Sequence, residues 1–328
     1  MVGLGDPAGS GPVHSGMIRG SRGPPDAMGQ DRSFSIVIPT YRRPQQLAKC
    51  LRSLANLAYP RHSFEVIVVD DDGGRGQTAA VVEAFQGELD VTWLAQSHAG
   101  PAAARNTGAA RANGTFLAFT DDDCLPDPAW LTGLAAPLTK MANSAVGGRT
   151  VNALPENPFS STSQMIIDFV YAHYNANLNE ARFFASNNLA MPAALFRTAG
   201  GFDATLTTSE DRDLCDRWLY LGHSMVYAPE AVVHHAHPLT LRTFCRQHFN
   251  YGRGACRFYQ IRNRVRQQNT SLQAGGFYLG MLRYPSLRTR GRHALLLTAL
   301  TLLSQGASAA GLLWERASQL GRGRPHTS

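Results

Sequence analysis

Phe116-Leu117-Ala118-Phe119-Thr120 runs straight into Asp121-Asp122-Asp123, so an apolar segment delivers three adjacent carboxylates with no Gly or Asn between them. Three neighbouring anions repel, and a cation relieves the repulsion. Oxygen ligands on a short loop suit Mg²⁺ or Mn²⁺, which take one or two carboxylates and complete their shells with substrate phosphates. Asp121 and Asp123 sit at alternate positions of an extended loop and can point the same way, one toward a sugar or ribose and the other toward the metal. A second run, Asp70-Asp71-Asp72, precedes Gly73-Gly74. Carboxylates at such a place accept hydrogen bonds from a nucleobase N–H or a ribose hydroxyl, although Asp-Gly pairs also make ordinary turns. Glu210-Asp211 follow Thr207-Thr208-Ser209 and open a helical pattern, where the helix dipole favours anions and a carboxylate can take a proton from a hydroxyl. Asn187 and Asn188 are candidates for a polar pocket, though asparagines also end strands.

The elements that must position these groups follow from periodicity. Residues 34–40 form a short apolar run stopped near a proline, as a buried strand does, and Leu47, Cys50, Leu51, Leu54 and Leu57 then recur at helical spacing after Pro44. Strands at 64–69, 91–95 and 116–120 alternate with helices at 78–85 and 101–112. This alternation predicts a parallel sheet covered on both faces, with ligands beyond the carboxyl ends of its strands. A helix at 128–138 and a strand at 145–151 come next, followed by a polar, aromatic stretch over 155–182 that shapes a substrate. A helix at 209–221 and a strand at 224–227 precede a helical tail. Residues 1–32, rich in Gly and Pro, read as a disordered leader; residues 33–238 read as one catalytic domain with halves 33–123 and 124–238; residues 239–328 read as a helical, membrane-associating region.

Composition bounds the rest. The 328 residues are 44% hydrophobic and carry a formal charge of +7, as a globular chain with polyanionic partners does. Five well-separated cysteines form no CxxC pair, so neither a disulfide framework nor a zinc site is indicated, and His234, His235 and His237 have no cysteine or acidic ligand at zinc spacing in sequence. There is no GxGxxG cradle and no Walker phosphate loop. Arg242, Arg246, Arg253, Arg257, Arg262, Arg264 and Arg266, interleaved with aromatics, precede an uncharged run from His293 to Trp314. That order suits a membrane surface better than nucleic acid, and the expected location is cytoplasmic, peripheral on the inner face of the membrane.

In this order and spacing FSIVIPTYRRP, VIVVDDDGG, GPAAARNTGAARANGTFLAFTDDD, GGFD, SEDRDLCDRW and YAPEAVVHH resemble the family 2 glycosyltransferases of the GT-A fold, over roughly two thirds of the chain. The resemblance implies an α/β domain that binds a nucleoside-diphosphate sugar, most often a UDP-sugar. It places Pro39, Thr40, Tyr41, Arg43, Asp70, Asp71, Asp72, Arg105, Asp121 and Asp122 on the donor side, and Asp123, Asp121 and His235 on a Mg²⁺ or Mn²⁺ ion. It places the catalytic base in the Glu210-Asp211 pair, at Asp211, and Asn187, Asn188 and Trp218 around the acceptor or sugar. The expected reaction is inverting transfer of the sugar to a hydroxyl of a glycan or lipid-linked acceptor. Two rivals are a sugar nucleotidyltransferase, which usually needs a glycine-rich phosphate loop absent from residues 39–44, and a catalytically silent sugar-binding module, which has no use for a metal pair and a base together.

Overall fold

The structure, a computed structural model, describes residues 33–266, 273 and 275–322. The leader expected over 1–32 lies outside the described residues. In the first half β1 (Phe34–Thr40), α1 (Pro44–Ala55), β2 (Phe64–Asp70), α2 (Thr78–Glu83), β3 (Val91–Ala95), α3 (Pro101–Arg111) and β4 (Phe116–Phe119) alternate as the periodicity predicts. β1 pairs in parallel with both β2 and β4, and β2 with β3. All seven residues of β1 and of β2 are buried. Successive side chains of a strand face opposite sides, so Ile36, Ile38, Val66 and Val68 join Leu47, Leu51 and Leu54 of α1 in one core, while Val37, Ile67 and Val69 join Ala102, Ala104 and Ala109 of α3 in the other. Burying each large aliphatic or aromatic side chain contributes about 1.5–3 kcal/mol, which is what makes the two-sided sheet a rigid platform.

The second half adds antiparallel pairs to a sheet that stays mostly parallel. It comprises β5 (Cys124–Pro126), α4 (Trp130–Lys140), β6 (Ser144–Asn152), α5 (Pro158–Tyr174), β7 (Leu189–Pro192), α6 (Ala193–Thr198), α7 (Glu210–Tyr220) and β8 (Ser224–His235). The sheet order is β3-β2-β1-β4-β7-β6-β8-β5, with β7 antiparallel to both β4 and β6 and β5 antiparallel to β8. β7 runs backwards because the excursion through α5 returns the chain to the end of the sheet at which β6 left it. The stretch over 155–182 is therefore largely a helix. Asn157 caps it by accepting from the N–H groups of Phe159 and Ser160, and Pro158 occupies the first turn.

Beyond the sheet lie α8 (Leu241–Arg266), α9 (Gly275–Arg288) and α10 (Gly291–Arg322). α8 and α10 cross closely enough that a Cβ on Gly252 would meet the Ser308 carbonyl oxygen at 1.8 Å and one on Gly311 the Phe249 carbonyl oxygen at 1.9 Å. Glu315 of α10 locks the crossing by accepting from Arg253 (2.8 Å) and Arg257 (2.6 Å) of α8.

Candidate functional site

β1 and β4 end side by side, and the two loops that leave them interlock. Thr40, buried at the end of β1 beside buried Pro39, donates from its hydroxyl to Asp122 Oδ2 at 2.7 Å. Arg43 Nη1 donates to Asp122 Oδ1 at 3.1 Å and to Asp123 Oδ2 at 3.0 Å. Burial pushes the Asp122 carboxyl up to about 6, with Arg43 opposing. Between these loops Tyr41 stands half-exposed with its ring 4.4 Å from that of His98, and Arg42 adopts a left-handed φ of 57° that is uncommon for a residue with a side chain.

The Asp70-Asp71-Asp72 run is split three ways. Asp70 is fully buried with Oδ2 unpartnered among the described residues, so the structure does not present it at the surface where a base or ribose would lie. Asp71 accepts from Gln96, from the N–H groups of Ala99 and Gly100, and shares a 2.8 Å contact with His98 Nδ1. Those four bonds fill the capacity of a carboxylate and hold the 96–100 loop, with its Tyr41–His98 stack, against the strand end. Asp72 pairs with Arg42 at 2.9 Å.

The acidic pair reaches the same edge from the far side of the sheet. Ser209, just before α7, has a left-handed φ of 72°, which turns the chain so that Glu210 and Asp211 open the helix facing inward. Such a conformation costs of order 1–3 kcal/mol and persists only where the surroundings hold it. Here α8 holds it: Thr208 Oγ1 donates to the Asn250 carbonyl at 2.9 Å, and Gly254 leaves the room, since a Cβ there would lie 2.1 Å from Thr208 Oγ1 and 2.8 Å from Ser209 Oγ. Gly254→Ala is therefore expected to destabilise the fold by about 1–3 kcal/mol through overpacking, read as a lower urea midpoint at unchanged slope.

Arg105, only 4% exposed, joins the two carboxylate sets, donating to Asp121 Oδ1 at 2.6 Å and to Glu210 Oε1 at 3.1 Å. The charges of Asp121 and Glu210 outweigh its burial and hold the guanidinium firmly protonated. Among the described residues Asp211 has no side-chain ion pair, although the Arg105 charge favours its ionised form. Burial and the neighbouring Glu210 charge push its carboxyl up to about 7, the range of a group that takes and gives protons at neutral pH.

A third cluster comes from strand pairing. β5 and β8 set Cys124 opposite His235, and Asp123, Cys124 and His235 then offer ligand atoms within 4.8 Å of one another. His235 Nε2 lies 3.3 Å from Asp123 Oδ1. Burial opposes the Asp123 charge, yet the His235 hydrogen bond and charge, with Arg43, pull its carboxyl down to about 2. Burial and the surrounding aspartates push the Cys124 thiol well above its usual value, and hard cations such as Mg²⁺ or Mn²⁺ favour oxygen and nitrogen over sulfur, which leaves Asp123 and His235 as the candidate ligands. A carboxylate and an imidazole, with phosphate oxygens and water to complete the shell, fit a divalent cation. Asp121, expected to share that ion, has its carboxylate on Arg105 and lies outside this group.

A cleft of about 1870 Å³ opens beside these carboxylates, lined by Arg105, Asp121, Asn187, Glu210, Asp211 and His235 among others. Asn187 is among the lining residues. Asn188 and Trp218 are not: both are fully buried. The Asn188 amide is consumed in the core, accepting from Trp130 Nε1 and donating to the carbonyls of Arg149 and Ala231, and Trp218 donates to the Ser224 carbonyl within the core of α7 and β8. His237, just beyond β8, also lines the cleft, as do Arg212 of α7 and Tyr251 of α8, which the sequence reading did not single out as site residues.

Residues 35–200 match the family described as Glycosyl transferase family 2, and residues 118–314 match Glycosyl transferase family group 2. The chain belongs to glycosyltransferase family 2. It is 32% identical, over 68% of its length, to the pre-mycofactocin glycosyltransferase of Mycobacterium tuberculosis, spanning 47% of that protein. It is 24% identical, over 69% of its length, to glycosyltransferase AglE of Haloferax volcanii, spanning 74% of that protein. Among solved structures the fold is similar to the mannosyltransferase PcManGT of Pyrobaculum calidifontis in complex with GDP-Man and Mn²⁺, with a TM-score of 0.58 at 20% identity, covering 89% of this chain and 81% of that one. It is also similar to residues 1–349 of Staphylococcus aureus TarS, with a TM-score of 0.51 at 18% identity, covering 88% of this chain and 92% of that one. This family 2 chain therefore has the mixed α/β sheet flanked by helices, with a helical C-terminal region, that those structures share.

Proposed function

We propose that this chain is an inverting, metal-dependent glycosyltransferase that moves a sugar from a nucleoside-diphosphate sugar to an acceptor hydroxyl. The observation that carries the reading is Asp211, poised near neutrality on a cleft also lined by His235, the partner of Asp123, and by Arg105, which bridges Asp121 and Glu210. Family membership supports the reaction class, and the relatives described with GDP-Man and Mn²⁺ and with UDP support a nucleotide-sugar donor. UDP is the expected nucleotide.

On this reading the donor lies along the carboxyl ends of β1, β2 and β4, with Tyr41 and His98 beside the base and the Asp71-clamped loop supporting them. Asp123 and His235 would hold Mg²⁺ or Mn²⁺, the imidazole inclining the pair to Mn²⁺. An ion held there would supply positive charge to the donor diphosphate. Arg105 and Arg43 add fixed cations at the same edge and stabilise the developing negative charge. Asp211 accepts the proton of the acceptor hydroxyl as that oxygen attacks the anomeric carbon from the face opposite the diphosphate, which inverts the configuration and needs only one carboxylate.

The region over 239–328 is proposed to rest on a membrane surface, giving a cytoplasmic, peripheral enzyme. α10 includes a stretch, Gly291–Gln319, long and apolar enough to cross a bilayer. One side of it, however, is packed against arginine-bearing α8 through Glu315, which suits an interfacial helix better than a spanning one.

Calorimetric titration of UDP, GDP, TDP and CDP with and without Mn²⁺ tests the donor site. One nucleotide binding only with Mn²⁺ is the expected result; a folded protein that binds none of them overturns the reading.

A further inference from the structure

We propose that Arg43 is the internal counter-ion of Asp123 and the residue that links ion binding to donor binding: it yields Asp123 to a divalent cation and, still held by Asp122, turns to the donor diphosphate. The proposal deepens the transferase reading and rests on it, because it takes Asp123 and His235 as the ligands of that cation.

Both oxygens of Asp123 are engaged. Arg43 Nη1 donates to Oδ2 at 3.0 Å, and His235 Nε2 lies 3.3 Å from Oδ1. Binding of a cation through Asp123 therefore draws on an oxygen that one of these two holds. His235 is compatible with the cation, because a neutral imidazole has a ring nitrogen with a lone pair to give it. Arg43 is not: a guanidinium has N–H donors only, and its charge repels the cation. Arg43 is the partner that must give way.

The way Arg43 is held lets it do so without leaving the site. Its side chain is 48% exposed, whereas that of Asp122 is only 5% exposed. Asp122 is fixed through Oδ2 by the Thr40 hydroxyl at 2.7 Å, and its Oδ1 takes the same Arg43 Nη1 at 3.1 Å. Turning about that second bond keeps Asp122 and releases Asp123. Both of these bonds come from one nitrogen; among the described residues Nη2 and Nε of Arg43 donate to no protein acceptor. That leaves part of the planar fork for phosphate oxygens, which a guanidinium takes in pairs. Arg43 also stands just past the carboxyl end of β1 and immediately before Pro44 opens α1, at the sheet edge where ligands of such folds bind. Its neighbour Arg42 pairs with Asp72 and, among the described residues, with no member of Asp121-Asp122-Asp123. With Arg43 on Asp123 the cation binds more weakly; with a diphosphate to receive Arg43 it binds more tightly, and by linkage it tightens the nucleotide by the same factor.

The test is a binding cycle on the full chain and on Arg43→Gln, Arg43→Lys and, as a control for charge alone, Arg42→Gln, with folding checked by thermal melting. Mn²⁺ paramagnetic resonance reads the affinity for the ion without nucleotide. Calorimetry reads the affinity for whichever of UDP, GDP, TDP and CDP binds, with and without Mn²⁺; the complex that Mn²⁺ and nucleotide form in solution is common to all variants and cancels. Arg43→Gln is expected to bind Mn²⁺ alone about three- to tenfold tighter and the nucleotide with Mn²⁺ about tenfold weaker, so that the factor by which Mn²⁺ strengthens the nucleotide shrinks. Arg43→Lys keeps the charge without the fork: Mn²⁺ alone binds as to the unaltered chain, while that factor shrinks to an intermediate value. Arg42→Gln leaves the factor unchanged. Mn²⁺ bound no tighter by Arg43→Gln overturns the competition for Asp123, and an unchanged factor overturns the turn to the diphosphate. Shifts of the same size in Arg42→Gln overturn the special place of Arg43. If Arg43→Gln does not fold, the factor in Arg43→Lys decides. A chain that binds Mn²⁺ but none of the four nucleotides sinks the transferase reading on which the proposal rests; nucleotide bound with the same factor in every variant sinks this inference alone.

Discussion

Asp211→Asn lowers the rate of sugar transfer by about 10²–10⁴-fold, the range that a positioned general base contributes, while nucleotide binding with Mn²⁺ is retained. The amide keeps the size of the side chain and can still accept from the Arg212 N–H, now 2.7 Å from Oδ1, but it cannot take a proton. The pH profile is the second readout. Burial and the Glu210 charge raise the Asp211 carboxyl from the usual 3.8 to about 7, so the fraction able to act as base, and with it the turnover, rises as pH passes through about 7 and then levels. The same shift has a stability consequence with the opposite sign. The folded chain binds this proton more tightly than the unfolded one, so the contribution is whole below 3.8 and is lost as pH rises toward about 7. Asp211→Asn should therefore melt higher than the unaltered protein at pH 8, by about 1–4 °C, while transferring almost nothing. A variant that keeps full turnover removes Asp211 from the mechanism.

Asp123→Ala abolishes the Mn²⁺-dependent part of nucleotide binding, a loss of at least about a hundredfold in affinity, since a two-ligand site does not survive on His235 alone. Calorimetry of the nucleotide with and without Mn²⁺, and Mn²⁺ paramagnetic resonance without any nucleotide, separate loss of the ion from loss of the base and ribose contacts. Asp123→Asn guards against a purely steric effect. It keeps the shape beside Arg43 and His235 and weakens the ion less than Ala does. Mn²⁺ binding undiminished in both variants would place the ion elsewhere, at Asp121 or Asp122, and would leave Asp123 as a partner of Arg43 alone.

The first half of the fold was legible because its information is local. Strands 64–69 and 91–95 and the helix after Pro44 announce themselves by apolar period and by proline position, and parallel pairing follows once strand and helix alternate. Asp121-Asp122-Asp123 and Glu210-Asp211 were legible for the same reason, each a run of like charge at the end of a patterned element. The α5 helix was also marked, by Asn157-Pro158, a cap followed by a first-turn proline, but the aromatics after it masked the signal. Asn188 and Trp218 went wrong in a shared way: a polar or amphipathic side chain near a site is as readily a core residue with a satisfied hydrogen bond, and only burial tells the two apart.

By itself, then, the sequence determined which residue types stand at which strand ends and helix starts, and the family to which the chain belongs. The tertiary structure decided which of those groups meet. Antiparallel pairing of β5 with β8 brought Cys124 and His235 face to face across a long stretch of chain that no local pattern links. Arg105 tied Asp121 to Glu210, apart from the Asp123–His235 pair, and α8, through Gly254, held the strained Ser209 turn that aims Asp211 into the cleft. Such contacts join elements far apart in the chain, and their energies depend on burial and on distances of a few tenths of an ångström, which a string of residues does not carry until it is folded.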